Sequence, residues 1–211
     1  VRSELYFSVI SIFAQRKMKN NLNDIVGSTG TMKVCLLRHA QATHNAAAAA
    51  HGESEYESWE YEDALLTPLG HTQASNVILP FMPDRIYSSP LRRCIQTARA
   101  LTDTNTNIYL YDGLIERQGH HPCNLRSHKS GIIEFDTYTN TDNIDHVYNH
   151  TFSHRETDEE VRMRASHTLS EIYADAARAG ATQILIVTHW DVLKVLFNAD
   201  VKNAQTHLIS V

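Results

Sequence analysis

Two apolar runs of this chain each end on a histidine, Val34-Cys35-Leu36-Leu37-Arg38-His39 and Ile184-Leu185-Ile186-Val187-Thr188-His189. A third run reaches Ser88-Ser89 and passes at once into Pro90-Leu91-Arg92-Arg93. Imidazole and guanidinium together suit phosphate. Neutral histidine is a nucleophile that can carry a covalent phosphoryl group. Arginine stays charged and offers two parallel N–H donors to the oxygens. Phosphomonoester hydrolysis is among the slowest uncatalysed reactions, so a third component is needed, an acid for the departing oxygen. Any single one of the 13 histidines is more readily a surface or structural group. Three basic strand ends in one chain make a stronger pattern.

In open α/β sheets, ligands bind in the crevice outside the carboxyl ends of the strands. The three basic ends are therefore expected to share one crevice. Apolar runs predict strands at Lys33–Leu37, Arg85–Ser88, Asn107–Tyr111 and Gln183–Val187, with a final edge strand at His207–Val211. Thr67-Pro68 predicts the cap and first position of a helix carrying Leu69, Ala74, Val77 and Ile78. Ser89-Pro90 predicts the cap of a second helix reaching about Leu101, with the arginine pair in its first turn. The longest helix begins at the Thr157/Glu160 capping pair, carries Val161, Ala165, Leu169 and Ile172, and stops at Gly180. A short helix follows at Asp191–Phe197. This alternation predicts an α/β three-layer sandwich, a mainly parallel central sheet with helices on both faces.

Two segments break the alternation. Ala46–Glu62 holds five alanines and then Glu53, Glu55, Glu57, Glu60 and Glu62; Ser127–His154 is polar and aperiodic. Loops of this length tend to wall or cover a pocket. For the acidic run, a solvated surface is an equal reading.

With 211 residues, 42% apolar and 20% charged, the chain needs only one core. The net charge of −5, with no lysine/arginine block, argues against a nucleic-acid partner. Cys35, Cys94 and Cys123 lack metal-type spacing and read as free thiols in a reducing, cytoplasmic setting. His120-His121, His128, His146, His150 and His154 give no ligand spacing, so no metal and no cofactor are expected. The apolar stretch Leu5–Phe13 is too short to span a bilayer. It is followed by Arg16, Lys17 and Lys19, and no membrane role is expected. The sequon Asn149-His150-Thr151 reads as coincidence. Residues 1–31 read as an N-terminal extension, disordered or weakly docked, and residues 32–211 as the domain. A homodimer is neither required nor excluded by the sequence.

Arg38-His39-Ala40-Gln41-Ala42-Thr43-His44-Asn45 resembles the R-H-G-x-x-x-x-N opening of the histidine phosphatase superfamily, the phosphoglycerate-mutase-like proteins. Asp63 to Ala74, read as D-x-x-L-T-P-L-G-x-x-Q-A, resembles the family's next block. Ser89 to Ala98 is similar to its S-x-L-x-R-x-x-Q-T-A helix, and Val187-Thr188-His189 to its late V-x-H. The resemblance implies His39 as the phosphorylated nucleophile. It implies Arg38, Arg93 and His189 as holders of the phosphoryl group, with Asn45 as a further donor. Helix geometry alone leaves Arg92 and Arg93 equivalent; the motif match selects Arg93. Thr43 and Trp190 are placed with the substrate-binding residues. Glu116 falls where the family places its proton donor.

A narrower likeness runs from Glu116 to Arg126, similar to an E-x-x-G-x-H-P-C-D-x-R stretch of a subgroup that opens R-H-A-Q-G-x-H-N. Departures are Ala42 for glycine, Asn124 for aspartate, and Trp190-Asp191 for small residues. Trp190 puts a bulky wall beside the phosphate pocket. The E-R-H-Y-G-x-L stretch of cofactor-dependent phosphoglycerate mutases is absent, which favours hydrolysis over phosphoryl return. A non-catalytic binding or regulatory module would be favoured by loss of Arg38, His39, Arg93 or His189, and all four are present. The expectation is a metal-independent phosphatase acting on a small phosphorylated substrate.

Overall fold

The computed structural model describes residues 31–145 and 154–211. The Leu5–Phe13 stretch, the basic residues after it, His146, His150 and the sequon lie outside the described residues. In chain order the elements are β1 (Lys33–Arg38), α1 (Thr43–His51), α2 (Pro68–Ser75), β2 (Arg85–Ser88), α3 (Arg92–Arg99) and β3 (Ile108–Tyr111). There follow α4 (Lys129–Phe135), β4 (Thr139–Asn143), α5 (Asp158–Arg178), β5 (Gln183–Thr188), α6 (Trp190–Phe197) and β6 (Thr206–Ser210).

The sheet order is β4-β3-β2-β5-β1-β6. All pairings are parallel except that of β6, which closes the edge antiparallel to β1. Period-two alternation sends Val34, Leu36, Ile184 and Ile186 to one face, where they meet Leu169, Ile172 and Tyr173 of α5 and Leu193 of α6. Cys35, Leu37, Leu185 and Val187 face the other way, onto Cys94, Ile95 and Ala98 of α3 and Ile132 of α4. Helices thus cover both faces, and the four inner strands β3, β2, β5 and β1 are buried almost throughout. Among the described residues, no helix is long and apolar enough to cross a membrane.

The capping box at Thr157 and the stop at Gly180, in the left-handed region at φ 71°, bound α5 as expected. Other expectations need correction. Helix α2 ends at Ser75, so Val77 and Ile78 lie beyond it, and Ile78 and Leu69 face solvent. Helix α3 starts at Arg92, with Leu91 rather than Ser89 at its cap. The alanine run is not loop but the body of α1, since alanine is the strongest helix former. Of Ser127–His154, the described part forms α4 and the polar edge strand β4 instead of a pocket cover. Only Thr141 of β4 is buried, so no apolar alternation announced it.

The expected Thr67-Pro68 helix start has a second role. The Thr67 N–H donates to the Gln41 backbone carbonyl at 3.0 Å, and its hydroxyl donates to the Gln41 side-chain Oε1 at 2.8 Å. A Cβ on Gly70 would run into that same backbone carbonyl. Gly70→Ala is therefore expected to cost about 1–3 kcal/mol by overpacking against backbone and to displace the loop after His39. Urea unfolding and turnover, measured on the same preparation, check both effects.

Candidate active site

The carboxyl ends of β1, β2 and β5 lie side by side, with Arg38 opposite Thr188 and Ser88 opposite Val187. The pairing runs past the strands: His39 N–H donates to the Thr188 carbonyl at 3.0 Å, and Ser89 N–H to the Val187 carbonyl at 2.9 Å. His39, Ser89 and His189 are thereby set at one rim of the sheet. Residues of the sequence motifs then tie the rim together. Thr97 Oγ1 accepts from Ala40 N–H at 3.0 Å, Gln73 Oε1 from Gln41 N–H at 2.9 Å, and Gln96 Oε1 from Leu66 N–H at 2.8 Å. Thr188 Oγ1 donates at 2.8 Å to the carbonyl of Leu114, two residues before Glu116.

Above this rim is a cavity of about 550 Å³ whose wall includes Arg38, His39, Asn45, Arg93, Glu116 and Trp190. His39 is 2% exposed, and its Nδ1 lies 2.8 Å from the Ala40 carbonyl. A carbonyl only accepts, so Nδ1 carries the proton and the Nε2 lone pair is left for chemistry. Arg93 is fully buried. Its Nη1 donates to the Cys123 carbonyl at 2.6 Å and its Nη2 to Asn124 Oδ1 at 3.0 Å. Arg38 donates to the Val201 carbonyl at 3.0 Å. Among the described residues, neither guanidinium has a carboxylate partner.

Arg92 points elsewhere. It binds Asp63, which receives its backbone N–H at 2.9 Å and its Nε at 3.2 Å. The choice that helix geometry left open is thus decided by the side chains, in favour of Arg93.

Glu116 sits on the cavity wall after β3. Its Oε1 accepts the N–H groups of Arg117 and Asp191, at 3.0 and 3.2 Å, which leaves Oε2 to hold a proton. Burial, and then the Asp191 charge, raise its pKa above the usual carboxylate range. The Arg117 backbone bond and the Arg93 and Arg38 charges oppose that rise without cancelling it. A carboxyl whose pKa is pushed upward suits a general acid.

Three expected site residues are placed differently. His189 is fully buried and does not line the cavity; it stands behind His39, with ring centroids 5.0 Å apart. Its Nδ1 lies 3.3 Å from Arg93 Nη2, and its Nε2 lies 2.8 Å from Ser89 Oγ. Because arginine only donates, His189 accepts from Arg93 and donates to Ser89, so it braces Arg93. Thr43 opens α1 with its N–H on the Leu65 carbonyl and stays off the wall; the neighbouring His44 is on it. Asn45 lines the cavity, but its Oδ1 accepts from Ala42 N–H at 3.0 Å. Trp190 is on the wall as expected, with its indole N–H held by Asp200 at 2.8 Å.

Sequence reasoning gave no site role to His44, Tyr56, His121 or Arg155, all of which line the cavity. Tyr56 stacks on His121 at 5.5 Å and meets His44 edge-on at 5.6 Å. Glu53 and Glu57, in the 3-10 turn Glu53–Glu57, complete that side, so this part of the acidic run is pocket wall. Arg126 and Lys129 do not line the cavity. Arg126 pairs with Asp112 at 2.6 Å, and Lys129 reaches the Ile144 carbonyl at 3.5 Å. Among the described residues, no group of three or more His, Cys, Asp or Glu side chains could hold a metal ion.

His39, His44 and His189 are all held well below the ordinary imidazole value of 6.5, first by burial and next by the Arg93 charge. All three are neutral in the fold and charge in the unfolded chain below about pH 6.5. The unfolded state then binds more protons, so stability falls as pH drops through that value. Glu116 titrates with the opposite sign: its raised folded pKa adds stability that is lost as pH rises. A Glu116→Gln background removes that opposing contribution and leaves those of His39, His44 and His189, to which His121, also lowered by burial, adds in the same direction. Each of the first three is expected to remove about 1.4 kcal/mol between pH 7.5 and 5.5, roughly 4 from the three together. Urea unfolding at the two pH values measures this, and an unchanged midpoint would mean that the rings are already charged in the fold.

Comparison with known proteins adds family to geometry. The model of the histidine phosphatase superfamily (branch 1) matches residues 34–208. A curated Saccharomyces cerevisiae relative, "Probable phosphoglycerate mutase PMU1", is 29% identical over 137 residues, covering 49% of this chain and 46% of that protein. The chain thus matches about half the length of that relative. Among solved structures, the ecdysone phosphate phosphatase of Bombix mori in complex with tungstate has 17% identity and a TM-score of 0.60, covering 84% of this chain and 88% of its own. The phosphoglycerate mutase of Bacillus anthracis has 16% identity and a TM-score of 0.60, covering 87% and 89%. A mycobacterial glucosyl-3-phosphoglycerate phosphatase complexed with VO3 has 20% identity and a TM-score of 0.55, covering 84% and 92%. At such identities these structures share the fold, a mixed and mostly parallel α/β sheet of the phosphoglycerate-mutase-like kind. With the family match running from β1 into β6, the chain belongs to the histidine phosphatase superfamily.

Proposed function

We propose that the protein is a metal-independent phosphatase that hydrolyses a small phosphomonoester through a phosphohistidine on His39. One observation carries this reading: a neutral histidine with a free Nε2 stands beside two guanidinium groups that, among the described residues, have no carboxylate partner. Fixed charge aimed at the phosphoryl oxygens by side chains already held in place stabilises charge developing in the transition state.

In the first step, His39 Nε2 bonds to phosphorus while the bond to the leaving oxygen breaks. Glu116 gives its proton to that oxygen. Water then attacks the phosphohistidine, the P–N bond breaks, and the Glu116 carboxylate takes the proton from water. Inorganic phosphate leaves, and His39 is again neutral. Arg38 and Arg93 hold the oxygens throughout, and His189 keeps Arg93 in position. The cavity volume and the carboxylates of Glu53 and Glu57 favour a small monoester over a polyanion.

The test is a panel of phosphomonoesters, including 2- and 3-phosphoglycerate, assayed for phosphate release with and without a chelator. Release unaffected by chelation is expected. Isomerisation of phosphoglycerate without release would move the assignment to a mutase. Glu116→Gln is expected to slow alkyl phosphates by about 10²–10⁴-fold and p-nitrophenyl phosphate far less, because nitrophenolate leaves without a proton. Equal losses on both would remove Glu116 from the acid role.

A further inference from the structure

Among the described residues, five buried side-chain atoms have no hydrogen-bond partner: Arg38 Nε, His44 Nδ1, Arg85 Nε, Arg93 Nε and Tyr173 Oη. Three of these belong to side chains on the cavity wall. A buried polar group left unpaired is expensive, so such a group calls for an explanation. The two arginines are already assigned to the phosphoryl oxygens. His44 has no part in the mechanism above.

The protonation of His44 follows from its neighbours. Ala42 N–H donates to Asn45 Oδ1 at 3.0 Å, which makes the other end of that amide the donor, Nδ2. Asn45 Nδ2 lies 3.0 Å from His44 Nε2, so Nε2 must accept. The neutral ring therefore carries its hydrogen on Nδ1, the atom without a partner. Burial, and then the Arg93 and Arg38 charges, keep the ring neutral. It is 3% exposed, and its centroid lies 6.1 Å from that of His39.

We infer that His44 is a phosphoryl-binding residue, its Nδ1–H donating to an oxygen of the tetrahedral group held by Arg38 and Arg93 at His39. This rests on the phosphatase reading of the cavity. The division of labour is chemical: the arginines supply charge, and His44 supplies a directional N–H without adding a third cation beside the nucleophile.

Binding of inorganic phosphate and of vanadate, measured by calorimetry at pH 7.5, tests this without turnover. His44→Phe keeps an aromatic ring against Tyr56 but has no N–H, and is expected to weaken both anions by about 10- to 100-fold. His44→Asn can present an amide N–H close to the place of Nδ1 and is expected to bind within a few-fold of wild type. kcat/KM should fall by the same factor for substrates with different leaving groups, since the contact is to the common phosphoryl group. Wild-type affinity in a folded His44→Phe variant would overturn the inference while leaving the phosphatase reading intact. Failure of the wild type itself to bind either anion would overturn that reading, and the inference with it. Should His44→Phe not fold, the Nδ1–H resonance of the ¹⁵N-histidine-labelled wild type decides: vanadate is expected to shift it, and an unmoved signal overturns the assignment.

Discussion

His39→Ala is expected to lower phosphomonoester turnover by about 10⁴-fold or more while leaving phosphate binding in place. The two halves of this result come from different groups. Covalent chemistry needs the His39 Nε2 lone pair, which the Nδ1 bond to the Ala40 carbonyl keeps free of the proton. Neither of the two nearest histidines substitutes for it, because Asn45 occupies Nε2 of His44 and His189 stands off the cavity. On the proposed reading, anion binding belongs to Arg38 and Arg93, whose hydrogen-bond partners do not include the His39 side chain. Their charges also oppose a proton on His39, so removing the ring removes no counter-charge. Trapping ³²P-labelled protein at neutral pH, and locating the label by mass spectrometry under conditions that spare phosphohistidine, measures the intermediate directly. Label on wild type at His39 and none on the variant is the expected pattern. Turnover by His39→Ala within tenfold of wild type would exclude a nucleophilic role.

Much of this site is legible in the sequence because its parts follow strand ends. An apolar run that stops at a polar residue fixes both the strand and the rim where the next side chain emerges, which is how Arg38, His39 and His189 are found. The motif spacing from Ser89 chooses Arg93 over Arg92, and the structure shows why. Arg92 is one helix position away and meets Asp63, while Arg93 turns toward Cys123, Asn124 and His189. What spacing does not convey is depth. His39 and His189 look equivalent as strand-end histidines, yet one ring faces the cavity and the other is packed behind it, against Ser89 and Cys94. Thr43 and His44 are neighbours at the start of α1, and only the helical turn decides which of them reaches the wall. Tyr56, Glu53 and Glu57 come from a segment with no periodicity, placed by the Tyr56–His121 stack. Contacts between segments far apart in the chain leave no local pattern, and strand β4 was missed for the same reason.

Arg93→Met is expected to reduce kcat/KM by about 10³-fold or more, in the range seen when a guanidinium that stabilises a phosphoryl transition state is lost, and also to move the pH profile. Arg93 is 1% exposed and holds its charge against neutral acceptors alone, the Cys123 carbonyl, the Asn124 amide and His189. With no carboxylate partner among the described residues, its field is available to a bound oxyanion, and from a buried guanidinium that field is weakly screened. Methionine keeps much of the side chain's length and packing while removing the charge. The orphaned Cys123 and Asn124 acceptors destabilise the fold, and relief of an uncompensated buried charge offsets part of that loss. After burial, the Arg93 charge is the largest influence holding down the pKa of His39. Without it that pKa rises, so the acid limb of kcat/KM, where His39 becomes protonated and loses its nucleophilic lone pair, moves to higher pH. Arg93→Lys should recover part of the shift but little of the rate, because one ammonium cannot serve the Cys123 carbonyl and also present a planar pair of donors to phosphate. A profile measured with p-nitrophenyl phosphate separates these effects, because its leaving group makes small demands on Glu116. Loss below tenfold with an unmoved acid limb would place the phosphoryl group away from Arg93. Loss of rate without the shift would leave Arg93 as a binding group but end its role in keeping His39 neutral.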